Sequence, residues 1–297
     1  MGKYKAILGR LGLTTMVMAL TSTAAFALSP PNITSNIKWN TTYNGVADVA
    51  TAFNNARRQE EIQLGLPVNK LGSLALPAQS TWTAMSDDAK ALFLINAERT
   101  ARNGMLPGVL GLPLAGVESH VDSASKTYAE LLVSTNKFGH YEPSGNSTVD
   151  NPPNRIKAKV KAACVEFLTR SENLAYFAVS STKPLTEANI PLPIERSIYN
   201  WLYDDAGSQW GHREAILLQN SPLSQPSQTT WGYKNNNGIA ANEGYLGFYK
   251  LGSSAYYPGG TSAYPYKYGV LTVMNIFDPV SDSAASTNTC GYTVTAK

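Results

Sequence analysis

Polar and apolar positions change their rhythm part-way along the chain. Val46, Val49, Ala50 and Phe53 recur at the spacing of one helical face and predict a helix over 46–64. Ala91, Leu92, Ile95, Ala97 and Ala101 repeat the pattern behind Ser86-Asp87-Asp88, which offers a cap and an acidic first turn, and Asn103-Gly104 stops the run. Ala124, Tyr128, Leu131 and Leu132 stripe a third helix over about 117–134. A short helix is expected near Arg155, and a fourth over about 194–203. Segments 229–234, 244–250 and 266–277 are then rich in Tyr, Val, Ile and Trp between Asn and Gly turns, and read as strands. Helices come first and strands late, without regular β-α alternation. The fold class is therefore α+β, with layered packing rather than a doubly wound sheet.

Composition narrows this picture. The chain has 297 residues, of which 43% are hydrophobic and 15% charged, a balance that excludes disorder throughout. Residues 1–27 read as a secretory leader: Lys3, Lys5 and Arg10 lead, an apolar run covers about 11–20, and Ala25-Phe26-Ala27 forms a small-x-small cleavage site. Cleavage after Ala27 removes three basic residues and no acidic one, leaving 21 of each and no net charge. Nucleic-acid binding driven by overall charge is thereby disfavoured. The leader's apolar core is shorter than the roughly 20 residues that span a bilayer, and no later segment is apolar enough, so the mature chain is expected to be secreted without a transmembrane segment. In an exported protein the pair Cys164 and Cys290 suggests a disulfide, with two buried thiols as the alternative.

Several chemistries are missing. There is no Gly-x-Ser-x-Gly, no His-Glu-x-x-His and no phosphate-binding Gly-rich loop. Only three histidines are present, and two of them, His140 in "FGHYEP" and His212 in "WGHREAIL", follow a glycine on a loop, where functional residues concentrate. Between them lie Glu172 in "SENLAY" and Asp204 in "WLYDD". Spacing alone does not bring the four together.

The strings "LFLINAERTARNG", "SKTYAELLVSTNKFGHYEPSG", "NRI", "SENLAYF", "IYNWLYDDAGSQWGHREAIL" and "WGYK" occur in an order that resembles the CAP family (cysteine-rich secretory, antigen 5 and pathogenesis-related 1 proteins) in its bacterial form. The resemblance covers about 86–280, leaving 28–85 as an N-terminal extension and 281–297 as a tail. It implies a three-layer α-β-α sandwich whose shallow cleft holds two His and two acids, carried over here to His140, Glu172, Asp204 and His212. Asp is one methylene shorter than the Glu common at the third position, which makes Asp205 a substitute candidate. Ser171 replaces the Gly commonly found before the Glu, and the two cysteines do not reproduce the family's usual disulfides. His120 matches no cleft position and reads as a helix-start surface residue.

Two neutral imidazoles, His140 and His212, can bind Zn²⁺, with water or carboxylate completing the shell. Glu172 could orient either ring through its second nitrogen, which is equally the form of a structural hydrogen bond. Water activated by such a metal and Glu172 would make a hydrolase, although the motifs offer no nucleophile. Arg155 and Arg213 read as structural ion-pair partners, Asn96 and Arg99 as polar anchors, and the five tyrosines of 256–268 as a rigid hairpin connection or a contact surface. Other family members bind sterols, fatty acids or proteins. The resemblance thus implies a secreted protein binding a small hydrophobic ligand or an extracellular partner beside the cleft. A metal-dependent hydrolase using His140, Glu172, Asp204 and His212 and a purely structural surface protein are the rivals.

Overall fold

The computed structural model describes residues 32–33, 45–102, 113–148, 150–159, 172–217, 244–277 and 293–296. The leader, Cys164, Cys290 and the strand expected at 229–234 lie outside the described residues. Helix α1 (Val46–Leu64) and the short α2 (Gln79–Ala84) lead to α3 (Asp87–Ala101). Strand β1 (Gly116–Glu118) runs directly into α4 (Ser119–Thr135), followed by α5 (Pro152–Lys157), β2 (Glu172–Ser181), α6 (Pro193–Tyr203), α7 (Gly211–Leu217), β3 (Tyr245–Ser253), β4 (Tyr266–Phe277) and β5 (Val294–Ala296).

The class is α+β, built on one mixed five-stranded sheet in the order β2-β4-β3-β1-β5. β1 and β3 are parallel and the other pairs antiparallel. Alternation along β4 divides its side chains. Met274 and Ile276 join a core with Leu246 and Phe248 of β3, Ile198, Trp201 and Leu202 of α6, and Leu94 and Ile95 of α3. Leu271 and Val273 pack with Leu174, Tyr256 and the α4 residues Tyr128, Ala129 and Leu132. Among the described residues no helix is long and apolar enough to cross a membrane.

The expected third helix begins two residues late, because Val117 and Glu118 pair in the sheet. The buried Glu118 carboxylate then caps α4, accepting from the His120 and Val121 amides at 2.9 and 3.0 Å. His120 stands at this helix start with Nδ1 2.8 Å from Glu118, its ring partly exposed. The helix lies so close to β3 that a Cβ on Gly247 would come within 2.3 Å of the Val121 backbone. Past the three-residue β1, α4 also takes over as neighbour of β3, with Asp122 Oδ1 accepting from the Phe248 amide at 3.1 Å.

Residues 45–85 pack into the same core. Val49, Ala52, Phe53 and Ala56 of α1 are fully buried, and Phe53 meets Tyr199 and Tyr203 of α6 edge-on at 5.4 and 5.9 Å. Such aromatic pairs contribute about 0.5–1.5 kcal/mol beyond their buried area. Behind them lies a buried charge cluster. Glu98 of α3 binds Arg57 of α1 and Arg102, both at 2.8 Å. Glu60 of α1 binds Arg102 and, at 2.5 Å, Arg213 of α7. The Tyr203 hydroxyl donates to Glu98 at 2.5 Å. The two neighbouring arginines hold the Glu98 carboxyl down at about 2 against the opposing effect of burial, while burial pushes the Tyr203 phenol well up.

Candidate functional site

His140 is set by α4. That helix ends at Asn136 in the left-handed conformation, and the Lys137 amide turns back to Leu132 O at 2.9 Å. Tyr128 then grips the loop on both sides of His140: its hydroxyl donates to Gly139 O and accepts from the Glu142 amide at 3.2 Å. Burial raises the Tyr128 phenol to about 12, so it stays protonated and able to donate. The Arg155 guanidinium of α5 stacks 3.6 Å above the Tyr128 ring. Its Nη2 donates to His140 O at 3.0 Å and to Glu172 Oε1 at 2.6 Å. Glu172 opens β2, its side chain fully buried, and Oε1 also meets His140 Nδ1 at 3.0 Å. Among the described residues, Glu172 Oε2 is buried without a hydrogen bond.

His212 comes from the other side of the sheet end. It stands in the first turn of α7, where Asn173 Nδ2 of β2 donates to its carbonyl at 3.0 Å. Its Nδ1 meets Asp205 Oδ1 at 2.7 Å, and Asp205 Oδ2 accepts the Arg213 amide at 3.0 Å. The Arg213 side chain reaches Leu202 O at 2.6 Å and Glu60, which ties α7 to the charge cluster. Trp201 lies 6.5 Å from the His212 ring and donates Nε1 to Leu174 O at 3.0 Å.

The rings of His140 and His212 thus face each other with centroids 6.5 Å apart. Each has Nδ1 against a buried carboxylate, which favours the Nδ1–H tautomer and leaves Nε2 as the free nitrogen. Phe138 and Tyr141, on either side of His140, are 45% and 44% exposed at the rim.

Of the four residues singled out from the sequence, His140, Glu172 and His212 come together and Asp204 does not. Asp204 ends α6 with its side chain exposed and its Oδ1 accepting from Asn32 Nδ2 at 3.1 Å. Asp205, one residue further round the turn and 3% exposed, is the acid on His212. The helix end decides which of the adjacent acids turns inward. Arg155 and Arg213 do carry ion pairs, and Asn96 brackets Leu114 by donating to its carbonyl and accepting its amide. Arg99 donates to Ile216 O at 3.0 Å. Tyr128, Asn173 and Trp201 were not foreseen in site roles. The one visible signal was a Tyr where the helical stripe needed only a Phe.

The donor chemistry suits a metal in part. Two imidazoles backed by carboxylates match the way histidine is presented to zinc, but ligands at about 2.0–2.1 Å in a tetrahedral shell would bring two such ring centroids to roughly 5 Å, closer than the 6.5 Å found here. Among the described residues no group of three or more His, Cys, Asp or Glu side chains is placed to hold one ion. Compared with models of known families, with curated proteins and with solved structures, the chain matches none.

Proposed function

We propose that this is an exported CAP-type protein, its helices and sheet forming the three-layer α-β-α sandwich of that group, that binds a ligand in or beside the two-histidine cleft. The observation carrying the reading is the pair of imidazoles facing each other at 6.5 Å, each with Nδ1 on a buried carboxylate. Backing both rings by acids leaves two Nε2 atoms and two exposed aromatic rings, Phe138 and Tyr141, as the groups offered to a partner. Small hydrophobic molecules of the lipid or sterol kind, or an extracellular protein surface, suit that mixture. A divalent metal such as Zn²⁺ would be held by His140 and His212 with water completing its shell, and would supply Lewis-acid chemistry. Glu172 then serves as the orienting carboxylate of His140.

A hydrolase is the second reading, favoured by Glu172 Oε2, a buried acceptor without a partner among the described residues beside two imidazoles. One experiment separates the readings. Calorimetric Zn²⁺ titration of the mature protein at pH 7.5 is run beside a folded His140→Ala/His212→Ala double variant, followed by fatty-acid, sterol and ester-hydrolysis screens of both. Ligand binding lost in the variant without turnover supports the binding role. Turnover abolished by Glu172→Gln with the fold intact replaces it by the hydrolase. Neither binding nor turnover, together with a large stability loss in the variant, leaves the cluster as structural.

A further inference from the structure

The Asp205–His212 pair is held from a distant part of the chain. Helix α6 ends at Tyr203, so its last carbonyls need partners from outside the helix. The Ile33 amide supplies one, donating to Tyr203 O at 2.6 Å, and the Tyr199 hydroxyl returns a bond to Ile33 O at 3.1 Å. With the backbone fixed there, the Asn32 carboxamide straddles Asp205. Its Nδ2 donates to Asp204 Oδ1 at 3.1 Å, and its Oδ1 accepts the Ala206 amide at 2.8 Å. The residues before and after Asp205 are thus pinned by one side chain about 170 positions upstream, while Asp205 itself points the other way, to His212 Nδ1 and the Arg213 amide.

We infer that Asn32 is a positioning residue of the cleft: by clamping the 204–206 turn it holds Asp205 against His212 Nδ1 and so sets which ring nitrogen of His212 faces the cleft. This rests on the two-histidine cleft being the working site, and it assigns to the segment before α1 a part in that site. Among the described residues Asn32 makes no bond on the His140 side, where the loop is gripped by Tyr128 and Glu172 is held by β2 and Arg155. His140 is therefore an internal reference in the same molecule.

The test is ¹⁵N imidazole spectroscopy of the full-length mature protein at pH 8, which reads the tautomer of each histidine without ligand or metal. Wild type is expected to show the Nδ1–H form at both His140 and His212. Asn32→Ala should shift the His212 tautomer ratio about threefold or more toward Nε2–H, the order of effect of weakening one net hydrogen bond, and leave His140 unchanged. Asp204→Ala should reproduce the shift, and Asp204→Asn, which keeps Oδ1 as acceptor, should restore the wild-type ratio. This pair keeps the test decisive if Asn32→Ala does not fold. An unchanged His212 ratio in the alanine variants overturns the inference, as does an equal shift at both histidines. Because no ligand is present, the outcome is independent of whether the cleft binds lipid, protein or metal.

Discussion

Replacing Glu98 by Gln takes one carboxylate out of the buried cluster while keeping its volume. Glu98 has no exposed side-chain surface and accepts from Arg57 Nε and Nη2, Arg102 Nη1 and the Tyr203 hydroxyl. Three arginines and two glutamates become three arginines and one glutamate in a space water does not reach. Breaking a buried pair by removing one partner costs about 3–5 kcal/mol. The depressed carboxyl of Glu98 expresses the same interactions on the pH axis. Its carboxyl lies at about 2 in the folded chain against 4.5 when free, and a shift of that size corresponds to about 3 kcal/mol. Because the folded-state value is depressed, this contribution is present in full above about 4.5 and disappears as pH falls from 4.5 toward 2. At pH 7, urea or thermal unfolding of Glu98→Gln should therefore show a loss of about 3–5 kcal/mol, or roughly 10–15 °C in Tm for a domain of this size. The wild type should lose stability steeply between pH 4.5 and 2, and the variant much less so. A loss below about 1 kcal/mol at pH 7, or acid limbs of equal slope, would refute the premise that α1 and α3 are bound through this cluster.

The other predictions concern single contacts. Asp122 is raised to about 6, chiefly by burial, so its charge costs stability above pH 6 and nothing below about 4. Asp122→Asn keeps the acceptor for the Phe248 amide and should stabilise by about 1 kcal/mol at pH 7.5 after allowance for solvent screening, with no gain at pH 4, as measured by paired urea melts. Gly247→Ala drives a methyl into the Val121 backbone and should cost about 3 kcal/mol or more, or prevent accumulation of folded protein; a near-native Tm would show that α4 does not press on β3. Arg155→Lys loses the stack on Tyr128 and at least one of the two bonds to His140 O and Glu172, and should cost about 1–2 kcal/mol with a change in the ¹⁵N signature of His140 but not of His212.

Local pattern made some of this visible in the sequence and hid the rest for identifiable reasons. The run "KYGVLTVMNIF" reads as a buried strand because it meets apolar neighbours on both faces, and it is the inner strand β4. Helix α3 is legible from its acidic start and its 3.6-residue stripe. Strand β2 was not anticipated: it begins with Glu172 and Asn173, side chains that face site partners, and beyond Leu174 it is only partly buried on the sheet edge. The role of α1 was hidden because Arg57, Glu60 and Glu61 look like a solvated face, yet all three are at most 3% exposed. Their burial depends on charges 41, 42 and 153 positions away, or on amides of the following connector, which no periodicity reports. Of the two candidate acids, Asp205 rather than Asp204 meets His212, a difference of a single residue step at a helix end that spacing does not resolve. β2 also links His140 and His212, since it carries both Glu172 and Asn173, one bonded to each histidine.

The cluster of Arg57, Glu60, Glu98, Arg102 and Arg213 also bears on how the chain can change by descent. Loss of Glu98 strands the charge of Arg57 in a dry interior, and loss of Glu60 strands that of Arg213, so single substitutions at the two acids pass through a damaged intermediate. Neutral drift should then be slow at Glu60 and Glu98, and replacements there, where they happen, should arrive with compensating changes among the arginines, across the boundary at residue 85. Recombination that exchanged the first 85 residues between divergent homologues would separate Arg57 and Glu60 from their partners. The segment before α3 and the rest of the core are thus bound to be inherited together.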